Sequence, residues 1–182
     1  RTLEMADLGA LLADEMGLGK TVQVARALSE LTSAGVVRRT LIVAPVSICL
    51  NWKSELAAWA PELPSVLYQG GDRFGMLRGH ARVLIGSYET IVRDLAQETH
   101  EGTDFVDLGL DVIVLDEAQK IKTLSSTRAR VLSSILAPRR WALTGTPLEN
   151  HPRELASILH FLFPNELTDP HDVSRDLPSL AR

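Results

Sequence analysis

The chain has 182 residues, of which 45% are hydrophobic and 23% are charged, and its formal net charge is −4 at pH 7. These proportions are typical of a globular domain and exclude a disordered chain, which would carry fewer apolar residues and more net charge. The longest apolar stretch, residues 41–50, is too short for a membrane-spanning helix, which needs about 20 residues.

The single cysteine and the start of the chain bear on the compartment. Cys49 lies inside the apolar stretch, so no disulfide can form within the chain, and a reducing, intracellular compartment is expected. The thiol itself is expected to be a small buried hydrophobe. The chain begins with Arg1 and shows no charged-then-apolar leader, which predicts no secretory signal and a piece of a longer protein with a truncated start.

Short apolar runs alternate with amphipathic stretches. In the first amphipathic stretch Val22, Ala25, Leu28 and Leu31 recur at three-residue spacing, and Gly35 follows as a helix stop. The same reasoning predicts helices over residues 21–32, 47–59, 88–97, 126–136 and 152–162. Strands are predicted over residues 8–13, 40–44, 66–69, 82–85, 111–115 and 141–143.

The apolar strands predict the fold class. Strands such as 40–44 and 111–115 are almost wholly apolar, which is typical of parallel strands buried on both faces. Helices between them predict right-handed crossovers and a three-layer α/β domain with a mostly parallel central sheet. Residues 98–109 are predicted to form a surface loop. Residues 165–182 have weak periodicity and are predicted to be a linker or tail, which leaves residues 1–164 as the domain.

A glycine-rich loop follows the first predicted strand and leads directly into a helix. Its sequence is DEMGLGKT, and Asp14 stands where the phosphate-loop pattern has its first glycine. Glycines let backbone N–H groups turn toward an anion, and the following helix directs its positive end at the same place. Lys20 would place a charge on the β- and γ-phosphates, and the Thr21 hydroxyl would bind Mg²⁺. The alternative is a glycine-rich turn that merely caps a helix.

Two carboxylates follow the apolar strand 111–115. Asp116 and Glu117 come directly after the strand, where a carboxylate is costly unless it meets a cation. Asp116 would hold Mg²⁺, directly or through water, and Glu117 would orient and polarise the attacking water for phosphoryl transfer. The alternative is a solvated helix N-terminus, where acidic residues are favoured in any case.

The ordered set of motifs resembles a known family. The chain contains, in this order, DEMGLGKT, LIVAPVSICLNW, DEAQKIK and ALTGTPLEN. Together these strings resemble the first motor lobe of the Swi/Snf-like helicase-related ATPases, the superfamily-two DNA translocases. The resemblance covers about residues 8–164. It implies a RecA-like lobe that binds ATP and Mg²⁺, tracks along duplex DNA, and works with a second RecA-like lobe and with accessory protein partners.

The resemblance assigns roles to the residues of the first and third strings. The residues expected at the nucleotide are Asp14, Gly17, Leu18, Gly19, Lys20 and Thr21. Thr21 and Asp116 are expected at Mg²⁺, and the residues expected to act in catalysis are Lys20, Asp116, Glu117 and Gln119. Gln119 stands where many members carry histidine, and it is expected to bridge the acidic motif to Thr144 by hydrogen bonding. Adenine specificity rests on the resemblance alone.

The resemblance also implies DNA-binding or coupling segments. The residues concerned are Pro45, Ser47 and Trp52, then Ser87 and Tyr88, then Thr144, Gly145, Thr146 and Asn150. Plain structural roles are the alternative: Ser47 and Ser87 as helix N-caps, Trp52 and Trp59 as core aromatics, and residues 144–147 as a turn. The favoured role for Trp59 is that of a core residue.

Basic residues give a weaker indication of a DNA surface. Lys120, Lys122, Arg128 and Arg130 follow the acidic motif, and such clusters are usually solvated faces. Arg139 and Arg140 precede a strand, opposite the edge where ligands bind, and are therefore poor candidates for DNA contact. The histidines show no metal-ligand spacing with Cys49, so no zinc site is expected.

Three functions remain open at this point. The first is the ATP-binding lobe of a DNA-dependent translocase, whose hydrolysis requires the second lobe. The second is a split or truncated nucleotide-binding module with little activity alone. The third is a P-loop enzyme unrelated to nucleic acid, such as a small kinase or a transport ATPase, against which the ordered motifs argue. The expected location is intracellular, in the cytoplasm or nucleoid of a bacterium or the nucleus of a eukaryote.

Overall fold

The central sheet has six parallel strands in the part of the chain that the structure describes. The structure is a computed structural model that describes residues 9–14, 17–96, 108–121, 126–145 and 152–164. The spatial order of the strands is β1–β6–β5–β2–β4–β3, and every neighbouring pair is parallel. The strands are β1 (Ala10–Leu12), β2 (Thr40–Ala44), β3 (Ser65–Tyr68), β4 (Val83–Ser87), β5 (Val112–Leu115) and β6 (Arg139–Leu143).

Helices cover both faces of this sheet. They are α1 (Lys20–Ser33), α2 (Val46–Trp59), α3 (Arg73–Leu77), α4 (Tyr88–Ala96), α5 (Thr127–Ser134) and α6 (Pro152–Leu162), with a 3₁₀ turn at Ala118–Lys120. Buried residues of α1 and α2 pack on one face, and those of α4, α5 and α6 pack on the other. Of the helices within the described residues, none combines the length and the apolar character needed to cross a membrane.

The strand side chains alternate between the two faces. Leu41 and Val43 of β2 pack in the core cluster that includes α4, α5 and α6. Ile42 and Ala44 of the same strand pack in the cluster that includes α1 and α2. All four are fully buried, as expected for a strand covered on both sides. The predicted three-layer α/β architecture is therefore confirmed.

The strand register aligns the carboxyl ends at one edge of the sheet. Leu12 of β1 lies beside Leu143 of β6, and Leu115 of β5 lies beside Val43 of β2. Ala44 at the end of β2 lies beside Ser87 at the end of β4. The segments that follow these strands are therefore brought together, which is where parallel sheets bind ligands.

The helix boundaries follow local backbone chemistry. Gly35 stops α1 as predicted, because it adopts a left-handed φ of 72° just after the C-cap residue. Ser126 caps α5, and its Oγ accepts a hydrogen bond from the Ala129 amide at 3.1 Å. The short helix α3 (Arg73–Leu77) was not predicted, because five residues that include Gly75 give no helical periodicity.

Three predictions about individual residues have different outcomes. Cys49 is buried as expected, and burial, with smaller contributions from Glu89 and Asp116, raises the pKa of its thiol to about 11. Trp59 was expected in the core but is 48% exposed, so that prediction was wrong. Arg139 and Arg140 were expected to precede a strand, but both belong to β6, and the buried Arg140 guanidinium donates to backbone carbonyls that include that of Ile135.

Two predicted irregular segments fall largely outside the described residues. Of the predicted loop 98–109, the structure describes the last two residues. The predicted tail 165–182 lies wholly outside, so the boundary proposed after residue 164 stays a prediction.

Candidate functional site

The glycine-rich loop enters α1 with a left-handed backbone. Gly17 and Gly19 have φ values of 88° and 72°, a conformation that residues with a side chain rarely adopt. Lys20 and Thr21 are the first two residues of α1, and its first amide groups are directed toward the loop. The Gln23 side chain donates to the Leu18 carbonyl at 3.2 Å and so ties the loop to the helix. A negatively charged group would meet the positive end of α1 here.

Lys20 is held across the loop. Its Nζ donates a hydrogen bond to the backbone carbonyl of Asp14 at 2.7 Å. The residue at the first position of the phosphate-loop pattern therefore contributes its backbone to this contact, which accounts for the tolerance of aspartate there. Glu15 and Met16, between Asp14 and Gly17, lie outside the described residues.

Asp116 is buried at the end of β5 with both carboxylate oxygens engaged. Its Oδ2 accepts a hydrogen bond from Nε1 of Trp52 at 2.7 Å, and its Oδ1 accepts one from the Glu117 amide at 2.8 Å. Burial raises the pKa of Asp116, while these two hydrogen bonds and the charge of Lys20 oppose the rise. A buried carboxylate of this kind favours a cation nearby.

Glu117 has a strained backbone. Its φ of 53° makes it the one non-glycine residue with a positive φ among those described. Such a conformation costs on the order of 1–3 kcal/mol and is concentrated at functional sites. It places the Glu117 amide on the Asp116 carboxylate and turns the chain into the following 3₁₀ turn.

Gln119 joins the acidic pair to the end of β6. Its Nε2 donates to Oε2 of Glu117, and its Oε1 accepts a hydrogen bond from Oγ1 of Thr144 at 2.9 Å. The expected hydrogen bond between Gln119 and Thr144 is therefore present. The Thr144 amide donates to the Leu12 carbonyl at 3.1 Å, so the ends of β1, β5 and β6 are linked in one network.

A cleft of about 280 Å³ separates the loop from the acidic pair. Two of the residues lining it, Asn51 and Glu55, were missed by the sequence reasoning. They lie one helical turn apart on α2, on either side of Trp52 in sequence, and that spacing is the signal that could have found them. The lining residues are Gly17, Gly19, Lys20, Thr21, Val22, Ile48, Asn51, Trp52, Glu55, Asp116 and Glu117.

The cleft suits Mg²⁺ held jointly with phosphate. A hydroxyl from Thr21 and a carboxylate from Asp116 are the hard oxygen ligands that Mg²⁺ prefers. Within the described residues no group of three or more His, Cys, Asp or Glu side chains could hold a metal ion. A magnesium ion here would therefore draw its other ligands from phosphate oxygens and water, which is its usual mode in nucleotide sites.

The segments expected to face DNA begin helices at the same edge of the sheet. Pro45 occupies the N-cap position of α2, and the exposed Ser47 is the second residue of that helix, so the N-cap role considered for Ser47 is wrong. Ser87 does cap α4, because its Oγ accepts a hydrogen bond from the Thr90 amide at 3.1 Å. Gly145 follows Thr144 and is partly exposed, whereas Thr146 and Asn150 lie outside the described residues.

Trp52 and Tyr88 do not reach the surface. Both side chains have 0% exposure, so neither contacts DNA from this position. Each instead hydrogen bonds to Asp116, Trp52 through its indole N–H and Tyr88 through its hydroxyl. The structure thus gives them a supporting place behind the acidic motif. Nearby, Arg128 is half-buried, with its guanidinium 5.5 Å from the centre of the Tyr88 ring.

Comparison with known proteins decides the family. The model of the SNF2-related domain matches residues 1–178. The chain belongs to the SNF2-related domain family. The resemblance to Swi/Snf-like ATPases is therefore confirmed.

Relatives within the SNF2-related family are much longer than this chain. The chain is 38% identical over 183 residues to "Helicase ssl-1" of Caenorhabditis elegans, covering 96% of this chain and 7% of that protein. It is 38% identical over 171 residues to "Helicase domino" of Drosophila melanogaster, covering 90% of this chain and 5% of that protein. The chain thus spans less than a tenth of the length of either relative.

A solved structure shares the SNF2-related fold. The Sulfolobus solfataricus SWI2/SNF2 ATPase core in complex with dsDNA superposes with a TM-score of 0.81 at 30% identity, over 93% of this chain and 34% of that one. The same core domain in a second structure gives a TM-score of 0.77 at 29% identity over the same shares. The RecA-like sheet with flanking helices is therefore confirmed, and the chain spans about a third of that ATPase core.

Proposed function

We propose that this chain is the ATP-binding lobe of a DNA-dependent ATPase that translocates on duplex DNA, and that hydrolysis requires a second RecA-like lobe. One observation carries the proposal: Lys20 and Thr21 at the start of α1 line the same cleft as Asp116 and Glu117 at the end of β5. Membership of the SNF2-related family and the likeness to an ATPase core in complex with dsDNA support the same conclusion.

The residues of the cleft have different proposed roles in binding and hydrolysing ATP. The backbone of Gly17 and Gly19 and the N-terminus of α1 would bind the triphosphate, and Lys20 would add a positive charge at its end. Thr21 and Asp116 would hold Mg²⁺, which when bound neutralises charge on the phosphates. Glu117 would orient the attacking water, with its carboxylate held by the Gln119 amide group.

Duplex DNA is the proposed track. The N-terminal ends of α2 and α4 follow β2 and β4, whose carboxyl ends lie side by side, so both helices begin at the same edge of the sheet. Helix N-termini bind phosphate without reading sequence. A DNA-phosphate surface of this kind makes binding independent of sequence and strongly dependent on salt.

The second lobe and the location are proposals of the same kind. The chain spans 34% of the Sulfolobus ATPase core, which leaves ample length in a protein of that size for a second RecA-like lobe. That lobe would close on the nucleotide and supply arginines to the γ-phosphate. Accessory protein partners would choose the DNA substrate. The proposed location is the nucleus of a eukaryote or the cytoplasm or nucleoid of a bacterium, because the track is DNA.

The test is ATP turnover by the complete native protein with and without linear duplex DNA. The proposal expects turnover to rise with duplex DNA of unrelated sequences and the stimulation to decline steeply between 50 and 200 mM salt, the range over which phosphate contacts weaken. Displacement of a third strand from a DNA triplex would report movement along the track. ATP binding without turnover, with or without DNA, would instead favour a nucleotide-binding module.

A further inference from the structure

Two buried aromatic side chains reach Asp116 from different helices. Trp52 of α2 donates from Nε1 to Oδ2 of Asp116 at 2.7 Å. Tyr88 of α4 donates from its hydroxyl to the backbone carbonyl of Asp116 at 2.9 Å. Both side chains are fully buried, so water does not compete for these hydrogen bonds.

The two contacts come from opposite faces of the sheet. Trp52 belongs to the core cluster that includes α1 and α2, whereas Tyr88 belongs to the cluster that includes α4, α5 and α6. Asp116 itself follows β5, and its amide donates to the Val43 carbonyl of the neighbouring strand at 2.9 Å. The residue is therefore held from three directions, by both helical layers and by the sheet.

Packing alone does not account for this pair of donors. A phenylalanine would fill most of the volume of Trp52 and nearly all that of Tyr88, without a polar atom to satisfy. A buried N–H or O–H is costly unless it finds an acceptor, and these two find theirs on the same residue. That residue is Asp116, whose carboxylate is proposed to bind Mg²⁺.

The hydrogen bonds fix the plane of the carboxylate. Trp52 holds Oδ2 and the Glu117 amide holds Oδ1, so neither oxygen of Asp116 can rotate without breaking a bond. A carboxylate has about four acceptor sites, so each oxygen keeps a lone pair for the metal or its water. Outer partners that orient a ligand in this way usually tune metal affinity.

We propose that Trp52 and Tyr88 are positioning residues that couple Asp116 to α2 and α4. This rests on the proposed function, because the N-terminal ends of these helices are the segments proposed to meet DNA. Tyr88 is the first residue of α4, and Trp52 is the seventh residue of α2. A shift of either helix on contact with a DNA phosphate would therefore move a group that donates a hydrogen bond to Asp116. DNA binding would thereby adjust the metal site although the DNA does not contact Asp116 or the metal.

The test compares conservative variants that delete one donor each. Trp52→Phe removes the indole N–H, and Tyr88→Phe removes the hydroxyl while keeping the ring. Trp141→Phe is the matched control for the first, since Trp141 is 2% exposed and lies in the same core cluster. Tyr68→Phe is the control for the second, since the buried Tyr68 hydroxyl donates to Asp94, away from the cleft.

Two readouts separate positioning from packing, both in the complete native protein. The first is the Mg²⁺ concentration needed for half-maximal binding of a non-hydrolysable ATP analogue, measured by calorimetry without turnover. We expect it to rise roughly ten-fold in Trp52→Phe, a typical effect of losing an outer partner of a metal ligand. The second is the stimulation of ATP turnover by DNA. The kcat measured with duplex DNA should fall in Trp52→Phe and in Tyr88→Phe, whereas the KM for ATP should change little.

The controls decide what a negative or shared effect means. Unchanged Mg²⁺ dependence and unchanged DNA stimulation in Trp52→Phe and Tyr88→Phe would overturn the proposal. Equal losses in Trp141→Phe and Tyr68→Phe, together with lowered melting temperatures, would also overturn it in favour of packing. If the wild-type protein shows no DNA-stimulated turnover, the proposed function fails, while the Mg²⁺ titration still decides the positioning role.

Discussion

Thr144 donates a hydrogen bond from Oγ1 to Oε1 of Gln119 at 2.9 Å, which joins the end of β6 to the turn after β5. Gln119 passes the connection on, because its Nε2 donates to the carboxylate of Glu117. Thr144 is 1% exposed, so solvent does not compete for its hydroxyl. The segment that follows β6 is thereby tied to the residue proposed to orient water.

Replacing Thr144 with valine tests this connection. Thr144→Val keeps the shape of the side chain and removes the donor, so ATP binding should persist while DNA-stimulated turnover falls by about ten-fold. Steady-state kinetics with and without duplex DNA measure the effect. Thr144→Ser should restore turnover, and Thr40→Val, which changes a buried threonine at the opposite end of the sheet, should leave it unchanged. Full DNA stimulation in Thr144→Val would mean that the hydrogen bond carries no signal.

Lys20→Ala tests the phosphate loop. Loss of the ammonium that lies across the loop should weaken binding of Mg-ATP by about 10- to 100-fold, since hydrogen bonds to charged groups are worth about 1.5–3 kcal/mol. Titration with a fluorescent ATP analogue measures the change. Lys53→Ala, on the exposed side of α2, is the control and should bind normally. Wild-type affinity for Mg-ATP in Lys20→Ala would contradict the proposed role of Lys20 in binding the phosphates.

Glu117→Gln tests the water-orienting role. The amide keeps the size of the side chain but loses the charge, so nucleotide binding should remain while turnover falls by about 10²–10⁴-fold. Steady-state turnover measures the effect, and persistent turnover in Glu117→Gln would assign the water to another residue.

Glu117→Gly tests the backbone strain at the φ of 53°. This variant should be inactive yet more stable by up to about 1 kcal/mol, because glycine relieves the left-handed strain at some entropic cost. Denaturant unfolding of Glu117→Gly and Glu117→Gln measures the change in stability, and equal stability of the two variants would contradict the expected relief of strain.

Sequence patterns predicted the elements that depend on local chemistry. The almost wholly apolar β2, the apolar β5 and the stop at Gly35 follow from side-chain type and backbone freedom alone. The Gln119 bridge was predicted because the resemblance placed both of its partners.

Features that depend on tertiary distance were not predicted. Trp59 lies on the same side of α2 as Trp52, but it is the last residue of the helix and reaches beyond the core. Periodicity gives the rotation of a side chain about the helix axis and not how far along the axis the core extends. The hydrogen bond between Trp52 and Asp116 joins residues 64 positions apart, and no local pattern encodes that distance.

Asp94 predicts a pH dependence of stability. Burial alone would raise its pKa, but hydrogen bonds from Arg73, Arg93 and Tyr68 outweigh this and lower it. A carboxyl whose pKa is lower in the folded state stabilises the fold fully above its unfolded pKa of about 4, and this contribution is lost as the pH falls through the folded pKa. In Asp94→Asn the free energy of unfolding should therefore be lower at neutral pH and fall less below pH 4. Denaturant unfolding from pH 7 to pH 2 measures both, with Asp72→Asn on the exposed neighbouring turn as the control.

Gly9 tests how closely α6 docks beside the start of β1. A Cβ at Gly9 would lie 2.7 Å from Cβ of Leu162 and 2.8 Å from its backbone carbonyl oxygen, so the end of α6 would have to move. Gly9→Ala should therefore lower the free energy of unfolding by about 1–3 kcal/mol, the usual cost of overpacking. Gly71→Ala is the matched control, because a Cβ there meets nothing within 4 Å and its φ is not in the left-handed region. Equal stability of the two variants by denaturant unfolding would show that α6 does not press on Gly9 in solution, since only the Gly9 variant carries the steric conflict.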